Sequence, residues 1–148
     1  MTNLEAARRI IERVRAAGVR DFCVCGGSRN APLIAVVSGN VYGFVDERSA
    51  AFFALGRIKR DGHPVAVITT SGTAAAELLP ATVEAYYSGA PLVLITADRP
   101  ARFRGTAAPQ SIEQLGLFGV YAETDFERWN RRAPLHINVE FDEPLIDE

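Results

Sequence analysis

Four short runs of small and charged residues hold the side chains best suited to chemistry: Gly26-Gly27-Ser28-Arg29-Asn30, Asp46-Glu47-Arg48, Thr70-Ser71-Gly72-Thr73 and Asp98-Arg99. Glycines let a ligand approach the backbone, and a helix opening after such a run turns free N–H groups toward an anion. Arg29 and Arg99 add planar guanidinium forks that match carboxylates. If the two arginines converge on one crevice, they select an anionic small molecule. By position alone, Glu47 reads equally as a functional carboxylate or as a negative charge stabilised at a helix start.

The other reactive residues point elsewhere. Gly26-Gly27-Ser28-Arg29-Asn30 misses the G-x-S-x-G nucleophile elbow at Asn30, and the triad base would have to be His136 inside a strand. No phosphate loop, H-E-x-x-H or G-x-G-x-x-G after the first strand is present. Cys23 and Cys25 share one strand face and read as core packing, with no histidine nearby to complete a metal site. His63 falls in a solvent turn. Arg8, Arg9, Arg13 and Arg15 form a solvated helix face.

The elements that must position these runs follow one rhythm. Thr2-Asn3-Leu4-Glu5 is a capping box that opens an amphipathic helix, which Gly18 ends. Strands are predicted over 22–25, 41–45, 65–69 and 91–97. Each is apolar, short and expected to be buried on both faces, and strand, small-residue or charged loop and helix follow one another four times over, with Asp46-Glu47-Arg48 read as a turn. The helices run from Pro32, from Ser49 to about Arg60, and from Ala74 toward Tyr87, with Pro80 interrupting the last. Residues 101–117 are aperiodic, and Leu135 to Phe141 alternates as a late strand with one polar face. This pattern predicts an α/β fold: a three-layer parallel sheet with helices on both faces. Ligands in such sheets bind beyond the carboxyl ends of the strands, where all four runs lie.

At 148 residues with 48% hydrophobic and 23% charged residues, the chain reads as one globular domain, 1–148. Sixteen basic against 18 acidic residues leave a net charge of −2, which removes the electrostatic case for a nucleic-acid partner or a basic membrane surface. No apolar run reaches the roughly 20 residues of a membrane span. The start also lacks a leader's apolar stretch, so a cytoplasmic location is expected.

Taken together, Cys-Gly-Gly-Ser-Arg-Asn-Ala-Pro-Leu at 25–33, Phe-Val-Asp-Glu-Arg at 44–48, Thr-Thr-Ser-Gly-Thr-Ala at 69–74 and Leu-Ile-Thr-Ala-Asp-Arg-Pro at 94–100 resemble one family. Pro109-Gln110, Gln114, Gly116, Phe118 and the stretch 136–145 extend the match. The family is the N-terminal pyrimidine-binding domain of 2-succinyl-5-enolpyruvyl-6-hydroxy-3-cyclohexene-1-carboxylate synthase, a thiamine-diphosphate enzyme of menaquinone biosynthesis. The resemblance implies that Glu47 is the catalytic, cofactor-binding residue. It would bond N1′ of the aminopyrimidine and promote the tautomer that removes the thiazolium C2 proton. It further implies that Thr70, Ser71 and Gly72 line the pyrimidine pocket and that Ser28, Arg29, Arg99 and Gln110 hold the substrate.

The substrates implied are 2-oxoglutarate and isochorismate, and the cofactor is thiamine diphosphate at its pyrimidine end. Mg²⁺ is expected only with a diphosphate-binding domain, which has no counterpart here. The chain is therefore expected to be inactive alone, and to form a homo-oligomer or a complex with a diphosphate-binding chain. Phe52 and Phe53, adjacent on one helix, support an interface. The alternative is a non-catalytic module for small-anion binding or assembly. Two further departures from the family pattern are Gly26 in place of its proline, expected to loosen that loop, and a shortened stretch between 121 and 135 that lacks a strand and helix.

Overall fold

The computed structural model describes residues 1–146. Helix α1 (Asn3–Ala16) begins at the Thr2 capping box, with Glu5 N–H donating to Thr2 Oγ1 and Thr2 N–H to Glu5 Oε2. It leads into β1 (Asp21–Cys25), followed by α2 (Ala31–Val36), β2 (Asn40–Phe44), α3 (Glu47–Asp61) and β3 (Val65–Thr69). The predicted break at Pro80 is real: α4 (Thr73–Ala76) and α5 (Leu79–Ser88) are separate, with the proline in the first turn of α5. Then come β4 (Leu92–Asp98) and β5 (Leu135–Glu140).

All four strand pairings are parallel, in the order β2-β1-β3-β4-β5. Side chains alternate across the sheet, so each face builds its own core. Phe22, Val24, Ala66, Ile68, Val93 and Ile95 pack on the side of α1 and α2; Cys23, Cys25, Val65, Val67, Leu92 and Leu94 pack toward α3 and α5. This is the expected three-layer parallel sheet with helices on both faces. Both cysteines are free and buried, and burial pushes each thiol up to about 12, which makes them inert packing.

Two local readings need correction. β2 is not buried on both faces: it is an edge strand, with Val41 exposed and Val45, just past its end, fully so. Asp46-Glu47-Arg48 is not a turn throughout. Asp46 is the N-cap of α3, accepting from Ser49 N–H and Oγ, and Glu47 is already the first helical residue.

Candidate functional site

In the strand order β2-β1-β3-β4-β5 the chain reverses direction between β1 and β3. In open sheets that reversal separates the flanking loops and makes a crevice. Here the loops after these two strands nearly touch. A Cβ on Gly27 would lie 2.6 Å from Thr70 Cβ, so only glycine lets the first loop pass this close to the third. Gly72, at φ +82° and ψ −140°, adopts a backbone conformation that L side chains avoid, and a Cβ there would meet the Gln110 backbone at 3.0 Å. Thus 26–30, 70–73 and 109–114 form one continuous wall.

The first loop is not loosened by Gly26. Asn30 is fully buried; its Oδ1 accepts from Gly27 N–H at 2.9 Å and its Nδ2 donates to Cys25 O at 2.8 Å. That side chain does the holding a proline would otherwise assist. Thr70 and Ser71 are buried in the wall, while Ser28 and Gln110 are exposed beside it. Glu47 is half-buried, near enough to Cys25 to raise its thiol pKa electrostatically. Among the described residues its carboxylate has no hydrogen-bond or ion-pair partner.

The two arginines do not share a partner. Arg29, only 6% exposed, donates from Nη1 to Phe141 O at 3.0 Å and pairs through Nη2 with Glu143 at 3.2 Å. Arg99 donates from Nε to Pro109 O at 2.8 Å, next to Gln110. The convergence expected from sequence is therefore not a contact between them. Arg29 is built into the chain after β5, and Arg99 into the 109–114 loop.

Sequence reasoning missed a buried polar column beneath this wall. Gln114, fully buried, accepts from Gly72 N–H at 2.7 Å and donates from Nε2 to Ala97 O at 3.1 Å and Asn138 Oδ1 at 2.8 Å. Asn138 in turn donates to Asp98 Oδ2 at 2.9 Å and accepts from Thr96 Oγ1 at 2.8 Å. Thr96 has one hydroxyl hydrogen, given to Asn138, so the 2.7 Å contact with His136 requires His136 Nε2–H to be the donor. Asp98 finally accepts from Arg99 N–H and pairs with Arg104, which also pairs with Glu140. The signal was present in the polar face of the late strand: buried polar side chains on β5 must find partners on β4.

Burial drives the His136 pKa down to about 4 from 6.5. Below pH 6.5 the unfolded imidazole takes up a proton that the folded one refuses until about pH 4. Stability is therefore full above pH 6.5 and falls between 6.5 and 4, by about 3 kcal/mol for this one group. Denaturant titrations across that range should show the slope, and His136→Gln should flatten it. An unchanged slope in the variant assigns the acid sensitivity to the carboxylates instead.

Residues 4–117 match the profile of the family described as thiamine pyrophosphate enzyme, N-terminal TPP binding domain. The chain belongs to that family. Among curated proteins it is 49% identical, over 99% of its own length, to the 2-succinyl-5-enolpyruvyl-6-hydroxy-3-cyclohexene-1-carboxylate synthase of Bdellovibrio bacteriovorus, covering 31% of that protein. It is 54% identical, over 86% of its length, to the synthase of the same name from Akkermansia muciniphila, covering 27% of it. The chain thus spans less than a third of either relative. The Bdellovibrio alignment runs over 162 positions, so that relative carries residues inside the matched span that this chain lacks. A solved thiamine diphosphate-dependent 4-hydroxybenzoylformate decarboxylase from Rhodococcus jostii RHA1 shares the fold, with a TM-score of 0.75 at 16% identity, over 95% of this chain and 30% of that one.

Proposed function

We propose that this chain is the pyrimidine-binding part of a thiamine-diphosphate-dependent synthase that decarboxylates 2-oxoglutarate and adds the succinyl unit to isochorismate. On this reading it is a single unit, shortened between 121 and 135, that works in the cytoplasm and only together with a diphosphate-binding domain. The observation that carries the proposal is Glu47: a half-buried carboxylate on the first residue of α3, without a partner of its own among the described residues, at the carboxyl end of the sheet of a chain whose family is described as TPP-binding.

The residues present fit the pyrimidine ring. Glu47 would hold a proton between its carboxylate and the ring nitrogen N1′, which requires that no internal cation claim the carboxylate. Gly72, whose missing Cβ lets the Gln110 backbone pack against the turn, would hold the 70–73 wall in place beside the ring, and the buried Thr70 and Ser71 would exclude water from its edge. When bound, thiamine diphosphate supplies an acidic thiazolium carbon as the reacting centre. Mg²⁺ would come with the diphosphate-binding domain.

Ser28, Arg29, Arg99 and Gln110 would hold substrate carboxylates and hydroxyls. For Arg29 this means exchanging Glu143, a partner whose side chain is 70% exposed, for a substrate carboxylate. The swap conserves charge pairing inside a buried setting. Of the two exposed phenylalanines of α3, Phe53 packs toward Tyr42 and Phe44 of β2, while Phe52, beside Pro80 and Val83 of α5, offers a face for the second domain or a second copy.

The test is to mix the purified chain with the diphosphate-binding domain of the Bdellovibrio relative, thiamine diphosphate, Mg²⁺, 2-oxoglutarate and isochorismate. Product should form from the mixture and not from the chain alone. Turnover by the chain alone removes the need for a partner. No product from the mixture, with the full-length relative active in parallel, leaves the non-catalytic assembly module as the better account.

A further inference from the structure

The outer edge of β5 is unlike an ordinary sheet edge, because a sixth strand begins there and stops. Glu123 forms an isolated parallel bridge with Leu135. Its N–H donates to Pro134 O at 2.9 Å, and its C=O accepts from His136 N–H at 2.8 Å. The chain then turns away, because Glu123 Oε1 captures the next two amides, Thr124 N–H at 2.9 Å and Asp125 N–H at 2.8 Å.

The bonds around Glu123 establish which way β5 faces. Backbone groups alternate sides along a strand. His136 points outward to Glu123, while Phe141 N–H, five residues on, points inward to Asp98 O at 3.1 Å. Outward therefore point His136 C=O, both groups of Asn138, and Glu140 N–H. Among the described residues none of these four has a hydrogen-bond partner. A parallel strand continuing the line of Glu123 would satisfy all four with its first and third residues.

A cleft of about 480 Å³ lies along this edge. Its floor is His136, Ile137 and Asn138, and its apolar walls include Ile10, Phe126 and Leu115. The Arg13 guanidinium at its rim is already paired with Glu127 and stacked on the Phe126 ring, so it makes no demand for an acidic guest. Backbone groups along a cleft walled by Ile10, Leu115 and Phe126, whose Asp125 is already bonded to Glu127 N–H and paired with Arg128, define the guest: an extended peptide that is uncharged and apolar where it meets those walls.

We propose that the β5 edge, from His136 to Glu140, binds an apolar peptide strand supplied by another polypeptide, added in parallel as the sixth strand of the sheet. The extra residues of the Bdellovibrio relative show that the matched span elsewhere carries chain that is missing here.

The experiment uses the full chain, ¹⁵N-labelled, and the capped peptide acetyl-Ser-Val-Ile-Val-Ser-amide. Saturable shifts should appear at the Asn138 and Glu140 amides, with a Kd on the order of 10⁻⁴ M, and exchange of those two amides should slow about tenfold. The same peptide N-methylated at both valines lacks the donors for His136 and Asn138, and should bind at least about tenfold more weakly. Equal binding of the two peptides, or shifts that avoid Asn138 and Glu140, overturns the proposal. Protection of those amides in the free chain that grows with protein concentration makes the edge an interface between copies, and overturns it as well.

Discussion

Glu47→Gln is expected to lower C2 proton exchange in bound thiamine diphosphate by at least about 100-fold, the usual scale for losing a positioned acid-base group. The measurement needs the chain combined with a diphosphate-binding domain and is read by NMR in D₂O. Glutamine keeps the size of the side chain and one acceptor, but cannot pass a proton. It also removes the negative charge from the first residue of α3, which should cost only about 0.3–1 kcal/mol because Asp46 still caps the helix. The two readings of Glu47 thus separate cleanly. Wild-type exchange with slightly lower stability makes Glu47 a helix-start charge and ends its catalytic assignment.

The second large effect lies one layer deeper, at Gln114. Gln114→Leu is expected to destabilise the chain by about 3 kcal/mol, because the Gly72 N–H and one acceptor on Asn138 lose their partner in a fully buried setting. Denaturant unfolding measures it. Gln114→Glu is the informative companion. Its carboxylate still accepts from Gly72 but faces Ala97 O and Asn138 Oδ1 with no N–H to offer, so its deficit should shrink at low pH as the group protonates. If leucine costs under about 0.5 kcal/mol, the network is loose and does not hold the 70–73 turn.

The sites of the β-strands were legible because the signals were local. Val65 to Thr69 and Leu92 to Asp98 are buried at every residue, and continuous apolar runs of that length announce a parallel strand in the sequence alone. The cap of α1 and the break at Pro80 were equally local, each resting on backbone groups within a few residues. The fold class followed from the order of those segments and the family resemblance from the motifs at 25–33, 44–48, 69–74 and 94–100, and both stand.

β2 shows where such reasoning stops. Asn40 to Phe44 looks like its neighbours in composition, yet it sits at the edge with its side chains partly or wholly exposed. Edge or centre is a property of strand order, and strand order is set by how helices cross over, many residues away. The same limit applied to Arg29 and Arg99. Loop position placed both at the carboxyl end of the sheet, but Arg29 found Phe141 and Glu143, 112 and 114 residues along the chain.

What the sequence by itself determined is therefore the set of elements, their order, the layer architecture and the four runs at the carboxyl ends of the strands, all encoded in short-range periodicity and turn residues. Tertiary structure alone decided which loops touch. Gly27 had to be a glycine because Thr70 crosses it, and Gly72 because Gln110 does. It also decided that Gln114, Asn138, Thr96 and His136 form one column. Those pairings join residues 24 to 43 positions apart. A buried polar group must be satisfied, but nothing local says by whom; only the packed sheet brings donor and acceptor within 3 Å.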